Sequence, residues 1–354
     1  MNRNLALAAA ALATLACSPD FDPASKIDKL RVLAIQAEPP EIFPPGDPSV
    51  AHTAALTSLV LRAEDFDPAA VHTTTVVYLA CVPTPGVPAP SPCVMLETLR
   101  DPTAMIGQAA AATCAGDTGA SGIAFVGVEV CEGGTCGPAV AGGTPLPSPE
   151  LAVTTRVSRG FDALPPGAPE RILGVQAEVL AFALDATPDE LVADAGTTCP
   201  IGDIAARLSE LWPAREHVLA TKRVVIRGPE AVDAPNQNPA IDAMVAGVTT
   251  LDPVAVTTIA GGAIPLRPDF DAARCETYTK LDAAGVPIET VREDWVFSWF
   301  STAGEMDELH THGATTDEWR VSGEPAGTPA LVAAVVRDLR GGTAWTVHRV
   351  RVTP

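Results

Sequence analysis

The chain has 354 residues, room for two or three domains at roughly 100–200 residues each, and its 23 Lys and Arg against 43 Asp and Glu leave a formal charge of −20. Such a surface repels phosphate backbones and anionic lipid heads, whose binding relies on bases that displace counterions, so nucleic acid is excluded as a partner. A hydrophobic content of 47% rules out a wholly disordered chain, while 34 Pro and 28 Gly disfavour long helices and suit short strands joined by turns.

The first residues carry one base, Arg3, followed by an apolar run at 5–16 that ends abruptly at Cys17-Ser18-Pro19-Asp20. A run of about twelve residues is too short to cross a bilayer, which needs about twenty. The pattern resembles a bacterial lipoprotein signal, with small Ala16 before Cys17 and Thr14 standing where Leu is usual. The resemblance implies that residues 1–16 are removed and that Cys17 is acylated. The protein would then be held to a membrane of the cell envelope by those chains, Ser18 pointing to the outer membrane. Several acyl chains hold firmly because each buried CH₂ contributes about 0.8 kcal/mol. An ordinary cleaved signal, with Cys17 free or disulfide-bonded, is the competing reading. Residues 17–27 form a short tether.

A first domain is expected over 28–228. Residues 30–37 lean towards a strand that stops at Glu38-Pro39-Pro40, and 54–63 and 73–82 read as two more. Export places the cysteines in an oxidising space, where disulfides are the default. Cys81 and Cys93 bracket a Pro-rich loop and are expected to pair. Residues 123–130 form another strand, and Cys131 and Cys136 flank a Gly-Gly turn that would face them across a hairpin. A zinc knuckle needs two tight pairs of ligands, and here there is one. Cys114 is matched with Cys199, leaving Cys275 as the odd thiol. Pro/Gly-rich insertions occupy 83–120 and 137–170. Residues 171–184 and 219–227 are strands, and 201–212 is a short helix: Ile201, Ile204, Ala205, Leu208 and Leu211 recur at helical spacing before Pro213.

Residues 229–238 are polar, hold two prolines and read as a linker to a second domain over 239–354. In that domain 240–248 and 262–266 are early strands. Residues 294–300 are the strongest, with Trp295, Phe297 and Trp299 on one face as the buried centre of a sandwich. Two further strands at 330–338 and 343–352 surround Gly341-Gly342 as a hairpin. The fold class expected is all-β: two immunoglobulin-like antiparallel sandwiches, the first with long loop insertions and one short helix.

The paired Trp on a mid-domain strand and the closing hairpin Arg337-Asp338-Leu339-Arg340-Gly341-Gly342 resemble immunoglobulin-like or PKD-like modules of bacterial surface proteins. With the N-terminal signal, residues 30–37, Lys222-Arg223-Val224-Val225-Ile226 and Pro235-Asn236-Gln237-Asn238-Pro239, the chain resembles uncharacterised lipoproteins of GC-rich Gram-negative bacteria. The resemblance implies an architecture and no activity.

Catalytic patterns are missing from the spacing: there is no phosphate-binding Gly-rich motif and no His-Glu-x-x-His, and Ser121 misses a nucleophile elbow by one residue. His310-Thr311-His312 is the one paired-imidazole candidate for a metal, set against a loop reading from Gly304 and Gly313. Asp-Phe-Asp recurs at 20–22, 65–67 and 269–271, where Asp capping of turn amides is the favoured role over calcium. No cofactor or metal site follows. The function expected is therefore a non-catalytic, lipid-anchored envelope protein displaying β-sandwich interaction modules, with an envelope protein or a polysaccharide as partner. The alternative is an envelope enzyme or carbohydrate binder with a site in the first domain's insertions.

Overall fold

Period-two alternation and apolar runs, cut by Pro, Gly and Asp, become strands throughout. The computed structural model describes residues 24–45, 50–67, 72–87, 103–114, 123–192 and 199–353; Cys17 and Cys93 lie outside them. In the first unit, β1 (Arg31–Glu38) and β2 (Glu41–Ile42) flank Pro39-Pro40. They are followed by β3 (Thr53–Leu61), β4 (Thr73–Cys81), β5 (Ile123–Glu132) and β6 (Thr135–Pro138). A miniature hairpin, β7 (Val140–Ala141) and β8 (Thr144–Pro145), precedes β9 (Glu150–Ala152), β10 (Val175–Leu184) and β11 (His217–Ile226). These strands build a six-stranded sheet in the order β2-β11-β10-β4-β5-β6 and a three-stranded sheet, β1-β3-β9.

From Val179 onward β10 is buried on both faces, which is why that half of its sequence is apolar without alternation. Ala177, Val179, Ala181 and Ala183 face the three-stranded sheet. Leu180, Phe182 and Leu184 face a helical layer. That layer holds α1 (Thr103–Cys114), with α2 (Thr155–Ala163), α3 (Pro169–Leu173), α4 (Pro188–Leu191) and α5 (Pro200–Leu211) also in this unit. The expectation of one short helix is thus met by α5 and exceeded. α1 and α2 arise inside segments read as irregular insertions, because the Ala109–Ala112 run and the apolar Val157 and Phe161 outweigh the flanking Pro and Gly. Cys114 is disulfide-bonded to Cys199 at the start of α5, and Cys131 to Cys136, its register partner across β5 and β6. Cys81 is also disulfide-bonded, and Cys275 is free.

The second unit contains β12 (Ala243–Ala246), β13 (Thr249–Thr250), β14 (Thr257–Ala260), β15 (Ala263–Asp269), β16 (Thr277–Leu281) and β17 (Pro287–Arg292). It continues with β18 (Val296–Ser301), β19 (Glu305–Met306), β20 (His310–His312), β21 (Asp317–Arg320), β22 (Pro329–Arg337) and β23 (Thr343–Thr353). Two five-stranded sheets, β13-β12-β15-β21-β19 and β14-β23-β22-β18-β20, enclose its core. Trp295, Phe297 and Trp299 are buried there against Trp319 of the other sheet. Pairing is antiparallel except for β2 on β11 and β14 on β23 among the named strands.

The two units share a fourth core. The outer face of β1 and β3, through Leu33, Leu59 and Leu61, packs on Phe300, Leu331, Ala333 and Val335 of β18 and β22. The molecule is therefore a stack of helices, six-, three-, five- and five-stranded sheets. Residues 229–238, read as a linker, are pinned rather than loose. Arg227 donates to the carbonyls of Asp233 and Ala234, Asp233 accepts from the Thr279 amide at 2.9 Å, and Asn236 is buried. Their polarity satisfies partners across the seam, a role that composition cannot distinguish from solvation.

Candidate functional site

β11 is an edge strand for most of its length, because β2 pairs with it only at Val225 and Ile226. β1 is the edge of the facing sheet. Between these two edges, and under the β22–β23 turn of the second unit, lies a cleft of about 530 Å³. It is lined by residues 32–35 of β1, residues 219–223 of β11, and Arg337, Leu339 and Thr343 among others. Because consecutive residues of both strands line it, the groove runs along strand edges rather than over a sheet face.

Alternation turns Val218, Ala220, Val224 and Ile226 into the core. Lys222 occupies the same face. It resolves the conflict by reaching past the core margin, where its Nζ donates to the Gly341 carbonyl and, at 2.8 Å, to Thr343 Oγ1. Burial pushes its pKa down to about 8, against the pull of the Asp338 carboxylate. Arg337 crosses the seam: it donates to the Leu33 carbonyl and to Ser298 Oγ, each at 3.0 Å. Burial lowers its pKa too. Arg223 lies on the exposed face at the rim, opposite Glu178 of β10. Among the described residues, no carboxylate lies within ion-pair distance of these three cations, whereas Arg171 and Arg227 each have one and Arg62 and Arg340 two. A molecule of charge −20 thus gathers three cations at this groove, against Glu178 in its lining and Asp338 in its roof.

The groove's roof is held by an inverted arrangement. Asp338 Oδ1 accepts the amides of Arg340, Gly341 and Gly342 at 2.7, 3.0 and 2.9 Å, and Asn236 Nδ2 donates to its Oδ2 at 2.8 Å. Gly342 is required in this turn, since a Cβ would sit 2.9 Å from the Gln237 carbonyl. At one end, Asn238 Nδ2 caps the Ala37 carbonyl of β1 and its Oδ1 takes the Thr343 amide, both at 2.8 Å. Next to it Glu41 and Arg227, both buried, are joined at 2.6 Å, and Glu41 also accepts the Asn236 amide at 2.9 Å. Leu339, exposed, adopts φ 65° at the lip, a left-handed conformation that costs an L-residue roughly 1–2 kcal/mol.

A second polar group lies inside the first sandwich. Glu129 of β5 receives the Ser58 amide at 2.9 Å and the Tyr78 hydroxyl on the same carboxylate oxygen, Oε1, tying the three-stranded sheet to the six-stranded one. Burial raises its pKa to about 7 despite these donors. The sulfurs of Cys131 and Cys136 adjoin it, and their disulfide bond removes them as metal ligands.

The other sequence candidates are dispersed. His310 Nδ1 lies 2.9 Å from Ser298 Oγ, and exposed His312 pairs with Asp294 at 2.7 Å, so the two imidazoles have separate partners. Asp65 accepts the Arg62 amide at 2.8 Å and Asp271 the Ala273 amide at 2.8 Å, the capping role expected of both; Asp20 and Asp22 lie outside the described residues. The groove itself was missed. Its one signal in the sequence is Lys222, a charge in the otherwise apolar core-facing register of β11. Compared with known proteins, the chain matches no family model and no curated protein.

Proposed function

We propose that this chain is a non-catalytic protein of the cell envelope, held to a membrane through acyl chains on Cys17, that presents a fixed stack of β-sheets to a partner. The observation that supports this reading is where the chain enters the fold: residues 25–27, read from the sequence as the end of the tether, are already part of it. The Ile27 amide donates to the Ser301 carbonyl at 2.8 Å and the Ser301 amide to the Ser25 carbonyl at 2.9 Å, so residues 25–27 pair with the end of β18. Six residues, 18–23, separate Cys17 from the first described one, and such a connection spans at most roughly 25 Å. An anchor at Cys17 would hold the stack close to the bilayer by a mechanically firm attachment. The test is fractionation with metabolic labelling by a palmitate analogue. The wild type should label and pellet with membranes, and Cys17→Ser should lose the label and either stay uncleaved or become soluble. A variant processed normally and unchanged in the membrane pellet would sink the reading.

A further inference from the structure

We infer that the groove between β1 and β11 binds an extended, acidic peptide segment of a partner protein, which adds as a strand to the free edge of β11. This rests on the reading of the protein as a partner-binding scaffold, and specifies its site and the chemistry of its partner.

Three observations converge. First, β11 offers main-chain groups: from His217 to Val224 it is paired with β10 on one side and, among the described residues, with no strand on the other, and residues 219–223 all line the groove. In an antiparallel strand alternate residues point their N–H and C=O to each side, so such an edge is a template for one more strand. Five residues at about 3.3 Å each give a run of about 17 Å, enough for a short segment. The β1 edge across the groove is different: Arg337 takes the Leu33 carbonyl, Asn238 takes that of Ala37, and the Leu30 amide donates to Glu216 at 2.7 Å. One wall is therefore closed by side chains while the other is open.

Second, the cations are in place with donors to spare. An ammonium has three N–H and a guanidinium five. Among the described residues Lys222 makes two hydrogen bonds, Arg337 two, and Arg223 none. Alternate side chains of an added strand would point to the two faces of β11, carrying Lys222 on one and Arg223 on the other. Carboxylates on such a segment would meet cations that make no ion pair among the described residues, although Glu178 lies opposite Arg223 and Asp338 acts on Lys222. The rest of the surface, acidic overall, repels the same segment and so restricts it to this groove. Third, Leu219 and Leu339 are exposed at the rim, and would cover apolar side chains spaced between the acids.

A charged edge strand also has a purely protective use, since inward-pointing Lys discourages edge-to-edge aggregation. The experiment separates the two. The full chain in detergent is titrated with a fluorescent peptide of alternating Asp and Val, followed by anisotropy, with an alternating Lys and Val peptide as control. Binding of the acidic peptide alone is expected, weakening with salt, and Arg223→Glu should weaken it by roughly tenfold or more. Two further acidic peptides are N-methylated on the odd or on the even amides; a strand-adding peptide faces β11 with only one set, so one should bind and the other should not. Equal binding of both would overturn the strand mode. No binding of the acidic peptide, together with aggregation of Arg223→Thr, would leave the charges as edge protection and overturn the proposal. The titration is independent of Cys17, so failure here and failure of the anchor are told apart.

Discussion

Glu129 should make the first sandwich less stable as pH rises through neutrality, and Glu129→Gln should abolish that component. The carboxyl is buried between the sheets, and its pKa moves from an ordinary 4.5 to about 7 in the fold. A folded-state pKa above the unfolded one means that the native state holds the proton more tightly. The stabilisation is complete below the unfolded pKa of 4.5 and is lost as pH rises through about 7. A displacement of about 2.5 pH units at 1.36 kcal/mol per unit corresponds to about 3 kcal/mol. The Ser58 N–H and Tyr78 O–H converge on Oε1, with the Ser58 and Thr57 hydroxyls also bonded to the carboxyl, so the neutral acid keeps its Oε1 donors while it carries its proton on the other oxygen. Gln keeps the acceptor oxygen and cannot ionise. Any cost of seating its extra amide protons is constant with pH, so the difference between wild-type and variant curves isolates the ionisation. Urea unfolding from pH 4.5 to 8.5 should show wild type losing about 3 kcal/mol relative to the variant. Parallel curves would refute the reasoning, and would mean that water or a rearranged Tyr78 solvates the carboxylate.

At the seam, Glu41→Gln leaves the Arg227 charge buried with neutral acceptors only, and should cost about 3 kcal/mol in chemical denaturation. Limited proteolysis should cut elsewhere before it cuts 229–238, because that segment is bonded to Glu41, Thr279 and Asp338; a first nick there, read by mass spectrometry, would show the strap to be loose. Leu339→Gly removes the left-handed strain of an exposed leucine at the expense of greater freedom in the unfolded chain, and should raise stability by about 0.5 kcal/mol, read as a small rise in Tm.

Much of the fold was legible because its strands are cut by turn chemistry. Residues 294–300 with their Trp-Phe-Trp register, the 330–352 hairpin around Gly341-Gly342 and the run ending at Leu184 all became strands within a few residues of the reading. The α1 helix was obscured by the prolines around it, although its alanine run favours a helix. The second unit's β16–β17 hairpin was missed because most of its residues are exposed, which leaves no alternation of burial to detect. The groove was illegible for a different reason: it is made by the absence of a neighbour along β11, and edge or centre is a property of topology. Lys222 was visible as a charge, but only the register shows that it points inwards.

The distribution of buried polar groups explains why the groove has a fixed shape. Apolar contact is non-directional, so the shared core of Leu59, Leu61, Phe300 and Leu331 would tolerate several angles between the units. Directional bonds choose one. Asn236–Asp338 holds one end and Lys222 and Arg337 hold the sides across the seam, while within the first unit Arg227–Glu41 and Arg62 with Glu216 and the Leu30 amide fix β11 against the chain on the β1 side. Buried ionic groups of this kind contribute little net stability, since desolvation offsets their attraction, but a wrong angle would strand those that cross the seam without a partner. The units are thus set at one spacing, and the distance between the β1 and β11 edges is set with it. A strand entering there meets a preorganised wall and bears the ordering cost itself, which makes charge pattern and extended conformation of the partner, rather than area alone, the determinants of affinity.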